Sequence, residues 1–130
     1  MLQVAVDRFL SKKSLLEEKL GSRHWTDYST LVKMVIELVT SEDDYDDFNP
    51  DPERIHCIDD GDYQGTLIFL IGAKGYQPST YWSMKVYYGS CSGCDTLQAI
   101  YDYSDEKPTE DQVKDYYTLC LHLIESMKEI

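Results

Sequence analysis

The chain has 130 residues and a mass of 15.1 kDa, and 42% of its residues are apolar, which is enough for one domain with a single core. Its formal net charge is −12 at pH 7, so we expect no direct binding to nucleic acid or to an anionic membrane, because both are polyanions. The expected partner is a protein with a basic surface.

The charge is distributed unevenly along the chain. Residues 1–40 carry six Lys or Arg and five Asp or Glu, whereas residues 41–130 carry six and nineteen, a net charge of −13. No uninterrupted apolar run reaches the roughly 18 residues of a membrane span, and the first residues do not have the pattern of a secretory signal. We therefore expect a cytoplasmic protein whose four cysteines are thiols or metal ligands.

The first 40 residues predict two helices. Apolar residues between Val6 and Leu20 recur at roughly helical spacing and Gly21 supplies a stop, which predicts a helix near 3–20. A continuous apolar stripe predicts a second helix near 27–40.

The next segment, 41–53, contains seven acids, two prolines and no basic residue, which predicts an irregular loop. A calcium loop of the EF-hand type is not expected, because the ligand positions and the central glycine do not fall in register.

From residue 54 the apolar period changes to that of strands. Residues 54–58, a turn at Asp60-Gly61 and residues 66–73 predict a hairpin whose second strand is central in the sheet. Residues 80–88 alternate as a half-buried third strand.

Two more helices are predicted, near 95–103 and over about 109–129. The order ααβββαα predicts an α+β fold, in which helices pack a small three-stranded antiparallel sheet. The single domain 1–130 then comprises a helical pair (1–40), an acidic loop (41–53), the sheet (54–90) and C-terminal helices (91–130).

Three sequence runs carry a family resemblance: DDGDYQGTLIFLIG (59–72), GYQPSTYW (75–82) and YYGSCSGCDTLQ (87–98). They resemble the middle region of small uncharacterised proteins encoded by bacteriophages and other mobile elements. The resemblance implies a phage accessory protein and nothing finer, and a phage-encoded protein would be located in the cytoplasm of its bacterial host.

Cys91 and Cys94 allow three interpretations. A Cys-x-x-Cys pair at a helix start is typical of thiol-redox sites, but the order of elements differs from the thioredoxin arrangement and Asp95 disfavours a thiolate. A zinc site would require further ligands, for which the candidates are His56, Cys57, Cys120 and His122. In the third interpretation the pair is only structural, Ser92, Asp95 and Gln98 cap the next helix, and Cys57 and Cys120 are core residues.

Acids and tyrosines beside the predicted turns indicate a recognition surface, because tyrosine offers rigid contact area with a hydrogen-bonding tip. The candidate partner-binding residues are Asp43, Asp44, Asp46, Asp47, Asp59, Asp60, Asp62, Tyr63, Gln64, Tyr76 and Tyr87. The alternative is that the tyrosines half-bury against the sheet and the acids only solvate the surface.

Catalytic patterns are not found in the sequence: it has no Ser/His/Asp order and no phosphate-binding glycine loop, and three histidines leave few general bases. Our leading hypothesis is a non-enzymatic protein without a cofactor, which binds a basic host protein as a nucleic-acid mimic, for example as an inhibitor of CRISPR effectors or other nucleic-acid enzymes. The rival hypothesis is a small zinc-binding or thiol-redox protein that uses Cys91 and Cys94.

Overall fold

The computed structural model describes residues 2–25, 27–40, 48–61, 65–74, 80–88, 100 and 107–130. The helices are α1 (Leu2–Ser11), α2 (Lys13–Gly21), α3 (Tyr28–Val39) and α4 (Glu110–Glu125). The strands are β1 (Pro50–Gly61), β2 (Gly65–Ala73), β3 (Tyr81–Tyr88) and β4 (Lys128–Glu129), which form one antiparallel sheet in the order β1-β2-β3-β4. The predicted α+β class is confirmed, with four described strands instead of three.

The first predicted helix, 3–20, is divided into α1 and α2 at Lys12, whose φ of −111° and ψ of 25° are not helical. The Ser11 hydroxyl donates to the Arg8 carbonyl at 2.8 Å, and the Lys12 N–H donates to Phe9 instead of to Arg8. A side chain thus binds the carbonyl that would accept the next helical hydrogen bond, and such bonding weakens and bends helices. The prediction of one continuous helix is wrong, because the chain forms two helices that meet at Lys12.

The second predicted helix, near 27–40, is confirmed as α3. The Asp27 carboxylate caps it by accepting a hydrogen bond from the Ser29 N–H at 2.8 Å. The buried stripe on α3 includes Leu31, Val35 and Ile36, all at 0% exposure, and these side chains belong to the same core as the sheet.

The edge strand β1 begins earlier than the sequence pattern predicted. Residues 50–53, expected in the acidic loop, belong to β1, where the pairing register shifts between Pro50 and Ile55. An edge strand needs hydrogen bonds on one side only, so it tolerates proline and extra residues. The predicted turn at Asp60-Gly61 is also wrong, because Asp60 pairs with Thr66 and Gly61 pairs with Gly65.

The C-terminal residues hold the strand that the sequence did not predict. The last helix was expected to reach 129, but α4 ends at Glu125, and β4 then pairs with Trp82 and Ser83 of β3. The Ile130 N–H continues this pairing by donating to the Tyr81 carbonyl at 2.9 Å. Of the helix predicted near 95–103, only Ile100 lies within the described residues.

The core lies between the helices and one face of the sheet. Phe69, Ile71, Trp82 and Met84 from the sheet are at most 1% exposed and pack in one cluster with side chains of all four helices. Trp82 and Met84 therefore confirm the predicted buried face of the third strand. In the part of the chain that the structure describes, no helix is long and apolar enough to cross a membrane.

Candidate functional site

The predicted partner-binding residues fall mostly between the described elements. Outside the described residues lie Asp43, Asp44, Asp46, Asp47, Asp62, Tyr63, Gln64 and Tyr76. For Asp59, Asp60 and Tyr87 the structure gives the strand pairing. The described elements show where the chain enters and leaves each of the segments that contain these residues.

Arg8 fixes both ends of the acidic segment 41–47. Its Nη1 atom donates to the Val39 carbonyl at 3.1 Å and also to the Phe48 carbonyl, so one guanidinium joins the residues on either side of the segment. The guanidinium carbon also lies 5.5 Å from the centre of the Phe48 ring, a cation–π contact. Five carboxylates are thus inserted between two chain positions that are held together.

Neighbouring contacts anchor the same ends in the body of the domain. The Thr40 hydroxyl oxygen lies 2.6 Å from the Ile36 carbonyl oxygen and 2.8 Å from that of Pro50. Phe48 is 1% exposed and meets Trp82 edge to face, with ring centres 5.1 Å apart. The acidic segment therefore leaves from a rigid base, which limits the entropy lost when a partner binds its ends.

The segment that contains Tyr76 starts from the same end of the sheet. The Lys74 N–H donates to the Asn49 carbonyl at 2.9 Å, and Ala73 pairs with Pro50. We call this the Pro50 end of the sheet. It carries the boundaries of segments 41–47 and 75–79.

The remaining predicted residues belong to the opposite end, which we call the Gly61 end. Here Gly61 pairs with Gly65, and Thr66 of the central strand pairs with Asp60 on one side and with Tyr87 on the other. The chain between Gly61 and Gly65 contains the predicted Asp62, Tyr63 and Gln64.

The length of β2 separates the two ends. Ala73 pairs at the Pro50 end and Gly65 at the Gly61 end, and eight residue steps at roughly 3.3 Å each give a separation of about 26 Å. The residues that follow segment 41–47 and the strand residues Asp59 and Asp60 therefore lie at opposite ends of β2.

The sheet face between these ends is partly apolar and half-exposed. The core helices pack against the Phe69 face, whereas Ile58 is 41% exposed, Tyr81 is 45% exposed and Ile68 is half-buried on the opposite face. At Gly72 an added Cβ would lie 3.3 Å from Cε1 of Tyr81 and 3.4 Å from Cβ of Arg54, so both side chains pack directly against the glycine.

The cysteines do not assemble in the described structure. Cys91 and Cys94 lie outside the described residues, Cys57 is exposed and Cys120 is buried. The expectation of a core position is confirmed for Cys120 and wrong for Cys57, which lies on β1 at the edge of the described sheet. Burial raises the pKa of the Cys120 thiol to about 12, so this thiol stays protonated at neutral pH.

The other two proposed zinc ligands, His56 and His122, are both exposed. Among the residues that the structure describes, no three His, Cys, Asp or Glu side chains are grouped so that they could hold a metal ion.

Sequence reasoning did not identify Arg8 as part of this surface. Its acceptors are 31 and 40 residues away, and a single arginine in an amphipathic helix gives no signal of such contacts. Comparisons of the chain with protein-family models, with curated proteins and with solved structures gave no match. The functional argument therefore rests on the geometry and the charge.

Proposed function

We propose that the chain is a non-catalytic interaction protein, of the kind that phages use against host proteins, and that it binds a basic surface of its target. The observation that carries the proposal is the net charge of −13 over residues 41–130, combined with the closed ends of segment 41–47. A carboxylate group on an anchored frame loses less conformational entropy on binding than one on a free tail.

The spacing of the two acidic groups supports the sharper form of the proposal, in which the chain mimics nucleic acid. The separation of about 26 Å between the ends of the sheet corresponds to roughly eight base pairs at 3.4 Å per pair. Carboxylates at both ends can then replace phosphates along an extended Arg/Lys groove, such as the one in a nucleic-acid enzyme.

The test neutralises each acidic group separately and then both together. One variant changes the four aspartates of the Pro50 end to asparagine (Asp43, Asp44, Asp46 and Asp47), and the other changes the three of the Gly61 end (Asp59, Asp60 and Asp62). The matched control neutralises four exposed helical acids, Asp7, Glu18, Asp115 and Glu125. Partners are captured from bacterial lysate and eluted in salt steps, and Kd is then measured with the purified partner.

We expect wild-type affinity to fall steeply with salt, each variant to weaken binding and flatten that dependence, and the control to do neither. Because the ends are about 26 Å apart, the two losses in binding free energy should add to within about 0.5 kcal/mol. Binding that is insensitive to salt and to both variants contradicts the proposal. Strongly non-additive losses contradict the assignment of two separate ends.

A further inference from the structure

A groove between α2 and α3 reverses the charge of the rest of the molecule. It has a volume of about 380 Å³ and is lined by Lys19, Arg23 and Lys33, with Glu37 as the acidic side chain among its lining residues. Three cations to one carboxylate give the lining side chains a charge of +2, which falls to +1 when Glu53, the ion-pair partner of Lys33, is included.

Arg23 is held in place without using most of its hydrogen-bonding capacity. Its guanidinium carbon lies 4.9 Å from the centre of the Trp25 ring, and its Nε donates to the His24 carbonyl at 3.2 Å. Neither Nη atom has a hydrogen bond within the described residues. An arginine whose plane is fixed while its fork is unoccupied is pre-organised to bind a planar or tetrahedral oxyanion through two parallel bonds.

The other donors of the groove differ in their partners. Lys19 has no acidic partner among the described residues, and Lys33 is shared with Glu53 at 3.4 Å in an exposed pair. Trp25 is 6% exposed, and its Nε1–H is a buried donor without a partner in the described part of the chain. The groove thus combines excess positive charge with two donors, on Lys19 and Trp25, that have no partner among the described residues.

We propose that this groove binds a phosphate monoester. A phosphate monoester carries a charge of about −1.5 to −2 at pH 7, so the net positive lining attracts it more strongly than it attracts a single carboxylate. Arg23 holds two phosphate oxygens, Lys19 and Lys33 neutralise the remaining charge, and buried Met34 offers apolar contact to the organic part of the ligand. This site is independent of the proposed acidic binding surface.

The test is an NMR titration of the full ¹⁵N-labelled chain with phenyl phosphate. The two tryptophans give separate indole N–H signals, and Trp82, which is 1% exposed in the core, serves as the internal reference. We expect a saturable shift of the Trp25 signal and none of the Trp82 signal. Phenyl sulfate, which has the same shape and one charge less, should bind more weakly.

Arg23→Gln is expected to weaken phenyl phosphate binding about tenfold or more, because it removes charge-assisted hydrogen bonds. Lys85→Gln, which removes an exposed charge from β3, should leave it unchanged. A second arm measures binding to vesicles with and without phosphatidic acid, and loss of that binding in Arg23→Gln would assign the phosphate to a lipid headgroup. The proposal is overturned if the Trp25 signal shows no saturable shift and the chain does not bind vesicles. It is also overturned if Arg23→Gln binds as well as wild type. Circular dichroism checks that the variant is folded.

Discussion

Replacing Arg8 with methionine should loosen the base from which the acidic segment leaves. The substitution keeps most of the side-chain length but removes the donor to the Val39 and Phe48 carbonyls and the cation over the Phe48 ring. A hydrogen bond to a charged group contributes about 1.5–3 kcal/mol, and because Arg8 is half-exposed we take the lower part of that range for each. The expected loss in the free energy of unfolding is about 2–4 kcal/mol.

Urea denaturation measures this loss, and Lys12→Met is the control, since it removes an exposed charge just beyond α1. Digestion of the native protein with a protease that cuts at aspartate reports the local effect: cleavage within 41–47 should be faster in Arg8→Met. Arg8→Lys should lie between wild type and Arg8→Met, because an ammonium group keeps the charge but not the planar fork. If Arg8→Met and Lys12→Met have equal stabilities and equal cleavage rates, Arg8 does not hold the segment.

Three further outcomes follow from the described core. Met127 is 2% exposed where α4 leads into β4, so Met127→Ala should lower the free energy of unfolding by about 2–5 kcal/mol. Ile130 is 74% exposed, so Ile130→Ala should change it by less than about 0.5 kcal/mol. Urea denaturation of the two variants compares these values. In thiol labelling of the native protein, Cys57→Ser should remove one reactive thiol and Cys120→Ala none, and the reverse result would contradict the burial of the two side chains. Burial raises the pKa of Cys120 from 9.0 to about 12, so the stability that depends on the neutral thiol is complete below pH 9 and is lost as pH rises toward 12. The free energy of unfolding should fall by up to about 1.4 kcal/mol per pH unit in this range. This part of the pH dependence should be absent in Cys120→Ala.

The sequence predicted the elements whose burial has a regular period. The stripe of α3 and the alternation in β3 come from one buried face, so the apolar pattern itself records the structure. Departures from a period could not be seen in this way. The break at Lys12 involves a single residue, and β4 has only two residues, which is too short for any alternation to show.

The candidate site was harder to predict because its geometry depends on pairing across the chain. Acids between 41 and 62 are close in sequence, which suggested one acidic region, but Asp59 and Asp60 lie at the far end of the 12-residue strand β1, opposite the end next to segment 41–47. The groove around Arg23 combines residues of α2 and α3 with the connection between them, and its three cations are spaced irregularly in the sequence. In both cases the sequence shows the residue types but not which of them lie together in the fold.

For the proposed basic partner, the separation of the two ends of the sheet is a stronger constraint than the net charge. At physiological salt the Debye length is about 8 Å, so charges about 26 Å apart along β2 hardly influence each other and each end must find its own basic groups. A small basic patch could engage one end only. A partner that engages both must present positive charge over the length of the sheet, and the half-exposed face between the ends, with Ile58 and Tyr81, lies along that path. An extended nucleic-acid groove meets this requirement, because its cations are arranged along a line to follow a phosphate backbone.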